Sequence, residues 1–131
     1  MPIVLYTLFL ASVFPIVLSA IGIYVRIKQL GKFDNDHPRA QQARLVGSGA
    51  RVVAAQQNAW EALAVYVAVV LIAHASGVNL NELAIPAIIF ITFRVLHAFL
   101  YIRNYSTLRS LAFAISMFSC LYIVYVSATY S

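Results

Sequence analysis

Residues 51–61 read RVVAAQQNAWE, a stretch that carries charged and amide side chains from a basic loop into an apolar segment. On a helix, Arg51, Asn58 and Glu61 lie near one face, because residues three, four and seven positions apart share a side. Residues 63–73, which follow, are apolar throughout. A carboxylate and an amide that enter such a segment are costly, so they indicate a functional site.

The composition predicts an integral membrane protein with one domain. Of the 131 residues, 63% are hydrophobic and 10% are charged, whereas a soluble domain has about 45–50% apolar and about 25% charged residues. A span of the roughly 30 Å hydrocarbon core needs about 20 apolar residues. Four segments satisfy this length, and the predicted fold is an all-α bundle of four transmembrane helices over residues 3–27, 51–75, 83–102 and 108–130.

The basic residues predict how the chain lies in the membrane. The net charge is +5, and six of the nine Lys and Arg residues fall between Arg26 and Arg51. The third connection holds Arg103 and Arg109, while the second connection and both ends hold none. The positive-inside rule therefore places both termini on the non-cytoplasmic side. This pattern reflects topology and lipid contact, and it does not indicate a nucleic-acid partner. The single Cys120 excludes an intrachain disulfide, and no metal-ligand spacing is present.

A second polar stripe lies on the third segment, where Arg94, His97 and Tyr101 share a face. The second and third segments are joined by a short turn, which predicts antiparallel neighbours. At about 1.5 Å per residue, Glu61 lies roughly 15 Å from Arg51, and Arg94 roughly 13 Å from Arg103. These matching depths predict an ion pair between Glu61 and Arg94, since either charge alone is far more costly. The alternative to a functional site is a structural ion pair that only fixes the register of the two helices.

The groups around this pair favour a ligand. Amide, imidazole and phenol side chains follow one another towards the basic connections, and arginines lie at the mouth. Such a funnel suits a small anionic, peptide-like molecule, because arginines bind carboxylates and Glu61 can accept an ammonium group. The predicted site residues are Arg51, Gln56, Asn58, Glu61, Arg94, His97, Tyr101 and Arg109.

These residues resemble the MAPEG family, the membrane-associated proteins in eicosanoid and glutathione metabolism. Residues 55–61, AQQNAWE, look like the family's Asn-x-x-Glu signature at the start of the second helix. Residues 94–101, RVLHAFLY, and 109–113, RSLAF, resemble the Arg-x-x-His-x-x-x-Tyr stretch and the following arginine element of microsomal glutathione transferases. The resemblance covers all four segments.

The resemblance implies a bacterial-type, inner-membrane homotrimer that binds glutathione between subunits as co-substrate. Its site would use the positions of Gln56, Asn58, Glu61, Arg94, His97 and Tyr101, and Arg109 would lie near the sulfur as the catalytic residue. An apolar electrophile would arrive from the lipid, for transferase or peroxidase chemistry. Glutathione-using members usually carry an arginine four residues before the asparagine. Here Ala54 occupies that position, and Arg51 precedes it by three residues.

Two other functions remain open from the residues alone. A small proton-coupled multidrug exporter also has four spans and a membrane glutamate, but that class carries its glutamate in the first helix, and residues 3–27 contain none. A non-catalytic trimeric scaffold is the other alternative. The first-loop arginine that some MAPEG members use in catalysis cannot be aligned, and Arg39 and Arg44 are candidates for it.

Overall fold

The structure, a computed structural model that describes residues 1–131, contains helices and no strands. Four of its helical stretches are long and apolar enough to cross a membrane, which confirms the predicted fold class. A 3₁₀ turn at Leu80–Leu83 leads into the third of them. The α-helices are α1 (Ile3–Leu30), α2 (Pro38–Ala43), α3 (Ser48–Ala75), α4 (Ala84–Ile102) and α5 (Ser106–Thr129).

The start of α3 at Ser48 lies three residues before the predicted start at residue 51. Gly47 has a φ of 57° and precedes the helix, whereas Gly49 belongs to its first turn. A Cβ at Gly49 would come within 2.8 Å of the Gln29 side chain on α1. The Gln29 amide also bonds the Val46 backbone, donating to its carbonyl at 3.1 Å and accepting from its N–H at 3.2 Å. Close contact with α1 therefore extends α3 three residues beyond its predicted start.

The antiparallel arrangement of α3 and α4 is as predicted. The two helices meet at three levels, through Arg51 and Ile102, Asn58 and Arg94, and Tyr66 and Phe90. Rising residue numbers on one helix match falling numbers on the other. In addition, α1 packs against α3, and α5 packs most extensively against α4.

The larger hydrophobic core lies towards the end of the bundle that is opposite the basic connections. Tyr66 and Phe90 stack with ring centroids 3.9 Å apart and planes within 9° of each other. The Tyr66 hydroxyl is hydrogen-bonded to Thr7 Oγ1 on α1 at 2.8 Å. Large apolar side chains cover the outer faces of the helices, including Phe9, Leu71, Phe118 and Tyr125. Such a surface suits lipid, and the protein is an integral, multi-pass membrane protein.

The short helix α2 is held against the loop that follows α1 by Gln41, which is buried. Its side-chain amide donates to the Lys32 carbonyl at 2.6 Å, and its oxygen accepts from the Asp34 N–H at 3.0 Å. The helix starts at Pro38, where the missing N–H of proline costs no helical hydrogen bond. Arg39 and Gln42 of α2 are thereby placed beside the polar start of α3.

Candidate functional site

Arg94 is the centre of the polar contact between α3 and α4. Its side chain is only 4% exposed. Nη2 donates to the side-chain oxygen of Asn58, and the Asn58 main-chain oxygen lies 3.4 Å away. The only ion pair in the chain joins His37 and Asp34. The predicted ion pair between Glu61 and Arg94 is therefore wrong for the single subunit, where the arginine binds the amide one turn away.

The helix register explains this difference. Arg51 Nε donates to the carbonyl of Ile102, the last residue of α4, at 2.9 Å. From that level, seven residues along α3 and eight residues back along α4 bring Asn58 opposite Arg94. Glu61 lies three residues further on, a rotation of about 300° at roughly 100° per residue, so it points about 60° away from Asn58. That rotation leaves Glu61 exposed on the single chain.

The buried nitrogens of Arg94 and His97 lack partners. Nε and Nη1 of Arg94 and Nδ1 of His97 make no hydrogen bond, although His97 is only 3% exposed. A buried, unpaired polar group costs about 1–3 kcal/mol, and a charged one costs more. Buried donors without a partner are rare in native proteins. A ligand or a second copy of the chain would satisfy the free nitrogens of both residues.

Aromatic rings link this pair to Arg109. The His97 ring meets the Tyr101 ring edge-on at 5.7 Å and the Phe113 ring at 6.2 Å, measured between centroids. The guanidinium carbon of Arg109 lies 4.3 Å from the centre of the Tyr101 ring. A guanidinium over an aromatic face is a favourable contact that fixes its position. Arg94, His97, Tyr101 and Arg109 therefore form one continuous surface on α4 and the start of α5.

Glu61 lies between two cavities on opposite flanks of α3. One, of about 200 Å³, separates α3 from α5, and Glu61 shares it with Asn58, Phe113 and Met117. The other, of about 280 Å³, separates α3 from α2. Arg39 lines that second cavity, together with Gln42, Gln56, Gln57 and Trp60. The carboxylate can therefore serve a ligand on either flank.

Sequence reasoning took Arg26 for a topology signal at the end of a span, but its side chain is 4% exposed and its Nε has no partner. The guanidinium lies 5.2 Å from the centre of the Phe33 ring. It lines a third cavity, of about 230 Å³, together with Arg39, Gln42 and Gln56. The buried face of α1 contained the signal, since Arg26 continues the spacing of Pro15, Leu18 and Gly22.

The predicted site residues therefore fall into three groups. One surface unites Asn58, Arg94, His97, Tyr101 and Arg109, with Glu61 at its edge. Gln56 lies on the other flank, beside Arg26 and Arg39. Arg51 holds the end of α4. The assignment of all eight residues to glutathione stays a prediction.

Fold and site together define a four-helix, multi-pass membrane protein with buried, unpaired arginine and histidine nitrogens between its helices. The model of the MAPEG family matches residues 3–129, nearly the whole chain. The protein therefore belongs to the MAPEG family, which includes members like the glutathione transferases and peroxidases. Comparison with curated proteins and with solved structures gave no match.

Proposed function

We propose that this protein is a glutathione-dependent transferase or peroxidase that acts on lipophilic electrophiles. The observation that carries the proposal is the set of unpaired nitrogens on Arg94 and His97, buried at a depth where neither water nor lipid satisfies them. Family membership supports glutathione as the molecule that binds them.

The chemistry of glutathione suits the groups around α3. The tripeptide carries two carboxylates and one ammonium group, and arginine is the preferred partner of a carboxylate. Arg94 offers two unpaired donors, while Arg26 offers one on the opposite flank. Glu61, exposed and without a cation within 4 Å, can accept the ammonium group.

Arg109 is the candidate for activation of the thiol. A cation beside a thiol lowers its pKa and so favours the nucleophilic thiolate. Tyr101 positions the Arg109 guanidinium at the start of α5. In a transferase reaction, the thiolate attacks an electrophilic carbon, and the leaving group departs with its electron pair. In a peroxidase reaction, the thiolate attacks the terminal oxygen of a hydroperoxide, and the O–O bond breaks to leave a sulfenic acid and an alkoxide that takes up a proton to become the alcohol. A second glutathione then attacks the sulfenic sulfur to give glutathione disulfide and water.

The position of Glu61 supports a homotrimer with the ligand between subunits. An exposed carboxylate inside a membrane span is costly, whereas a second copy packed on this face of α3 excludes lipid from it. The donors around α3 are divided between the flank of α4 and α5 and the flank of α1 and α2. A neighbouring subunit can bring the missing flank to each site.

The electrophile reaches the site from the lipid. Phe113, which is exposed, and Met117 form the apolar wall of the cavity between α3 and α5, next to Glu61 and Asn58. A lipophilic molecule dissolved in the bilayer reaches this wall laterally. The basic connections support an open end of the site in the cytoplasm by the positive-inside rule, and for a bacterial-type member the membrane would be the inner membrane.

Glutathione binding by the purified protein in detergent tests the proposal. Isothermal titration with millimolar glutathione is expected to show saturable binding that Glu61→Gln weakens. Asp36→Asn removes a similar charge from an exposed loop and is the matched control, with unchanged binding expected. No binding by the wild-type protein, or equal binding by Glu61→Gln, would contradict the proposed site.

Two assays separate the reaction types. An aryl halide reports transfer through the formation of a thioether, and a lipid hydroperoxide reports reduction through the formation of glutathione disulfide. If glutathione binds but neither product forms faster than in a protein-free control, the enzyme proposal is wrong and the scaffold alternative gains support.

A further inference from the structure

A large cavity of the protein is lined by none of the arginines. It has a volume of about 490 Å³ and separates the first turns of α4 from the middle of α5. Pro86, on its wall, lies eleven residues before His97, a distance of roughly 17 Å along the helix. Small-molecule sites span about 300–1,000 Å³. The wall is mostly apolar, with Ile85, Pro86, Ile89, Ile115, Phe118 and Tyr122.

Ser119 is one of the lining residues that carry a polar group, with Glu82 and Tyr122. Ser119 is only 7% exposed, and its hydroxyl makes no hydrogen bond. The other buried serines of α5 bond their own helix, Ser116 to the Phe113 carbonyl at 2.8 Å and Ser127 to the Ile123 carbonyl at 2.7 Å. The Ser119 hydroxyl is therefore free to bond an occupant of the cavity.

The one charged group in the lining is the Glu82 carboxylate, in the 3₁₀ turn that leads into α4. No cationic group lies within 4 Å of it, and its one contact is a long hydrogen bond of 3.4 Å from the Asn79 amide. The chain has no Lys or Arg in residues 52–93 or 110–131. Glu82 is exposed at the end of a membrane span, where an opposite charge interacts with it more strongly than in bulk water, and the protein supplies none there.

We propose that this cavity binds a small lipophilic amine in its protonated form. The ammonium group pairs with the Glu82 carboxylate at one end of the cavity, and the apolar body lies along Ile89 and Phe118 towards Ser119. The single unpaired carboxylate sets the charge of the ligand at +1. The volume sets its size, which is that of a drug-like molecule and smaller than a whole phospholipid. This site is separate from the proposed glutathione site and does not depend on it.

A pair of probes with one skeleton tests the proposal. The probes are 4-phenylbutylamine, which is cationic at neutral pH, and 4-phenylbutanol, which is neutral. Bound ligand stabilises the native state in proportion to its affinity, so the thermal unfolding of the purified protein reports binding. The amine is expected to stabilise the wild-type protein, with an affinity about tenfold above that of the alcohol.

Three variants locate the site. Glu82→Gln is expected to reduce amine affinity about tenfold and leave the alcohol unchanged. Asp36→Asn, a matched loss of charge in an exposed loop, is expected to change neither. Ser119→Leu fills the cavity and is expected to abolish binding of both probes. If that variant does not fold, Phe118→Ala on the exposed wall replaces it, with weaker binding of both probes expected.

Several results would overturn the proposal. Amine and alcohol that bind equally, or amine binding that survives Glu82→Gln, would show that no cation is recognised. No stabilisation by the amine at millimolar concentration would show a cavity closed to small molecules, as when lipid or a second copy of the chain covers it. Unchanged binding in Ser119→Leu would place the amine elsewhere.

Discussion

The interface between α3 and α4 has two halves of opposite character. In the dry half, Tyr66 stacks on Phe90, and the one polar group, the Tyr66 hydroxyl, is bonded to Thr7. In the polar half, Asn58 satisfies one nitrogen of Arg94, and three nitrogens of Arg94 and His97 remain unpaired. Arg94 and His97 are nearly as buried as Tyr66 and Phe90, whereas Asn58 is half-buried.

The two halves differ in whether their polar groups are satisfied within the single chain. The dry half is complete in a single subunit, as expected of a packing core. The polar half is incomplete, and packing alone gives no reason to bury unpaired donors that cost free energy. We therefore assign stability to the first half and ligand binding to the second.

Phe90→Ala is expected to have the largest effect, and it acts on the dry half. Removal of a buried phenylalanine costs about 3–5 kcal/mol through lost contacts and the cavity left behind. Thermal or denaturant unfolding in detergent measures the loss. Glutathione affinity, measured below the unfolding transition, is expected to stay within about twofold, because the ring stacks on Tyr66 and offers no group that can bind the ligand. A selective loss of affinity would break the division between the halves.

Arg94→Leu is the opposite case. Glutathione affinity is expected to fall about a hundredfold, as for the truncation of one partner of a buried charge pair. The stability of the ligand-free protein is expected to hold or to rise, because the change removes unpaired buried donors. Titration and unfolding of the same preparation measure both quantities. A large loss of stability without ligand would assign Arg94 to the scaffold.

Arg109→Ala tests the proposed chemistry rather than binding. Without the guanidinium, the pKa of the bound glutathione thiol is expected to rise by about one unit, which reduces the thiolate at neutral pH about tenfold. The ultraviolet absorbance of the thiolate, followed as pH rises, reports the shift. Turnover is expected to fall in parallel and to recover at higher pH. An unchanged thiolate titration would remove Arg109 from the catalytic role.

Arg51→Ala is expected to have the smallest effect. Its hydrogen bond to the Ile102 carbonyl is part-buried and worth about 1 kcal/mol of stability. Because the side chain is engaged at the end of α4, glutathione affinity is expected to change less than twofold. A tenfold loss of affinity would show that Arg51 leaves Ile102 to bind the ligand, and so replaces the arginine that is missing at position 54.

The sequence predicted the helices well because lipid imposes a simple rule. A span must be apolar and about 20 residues long, and each of the four segments stands out on that basis. The ends were less accurate, as at Ser48, where the start of α3 depends on tertiary contact between Gly49 and Gln29.

The site was predicted in part, for a geometric reason. Spacing along one helix correctly placed Arg94, His97 and Tyr101 on one surface. The predicted partner of Arg94 was wrong. Counting residues from the ends of two helices gives depth only to within one helical turn, and it does not show which way each side chain points around its helix axis. The burial of Arg26 was not predicted. A basic residue at the end of a span looks the same in sequence whether it sets the topology or is buried between helices.

A structure of the assembled protein with glutathione tests the central claim most directly. We expect tripeptide density between subunits. A carboxylate of the ligand is expected at the unpaired nitrogens of Arg94, its amine near Glu61 and its sulfur near Arg109. Density elsewhere, or an assembly in which a neighbouring subunit satisfies Arg94 and His97 and leaves no room for a ligand, would contradict it.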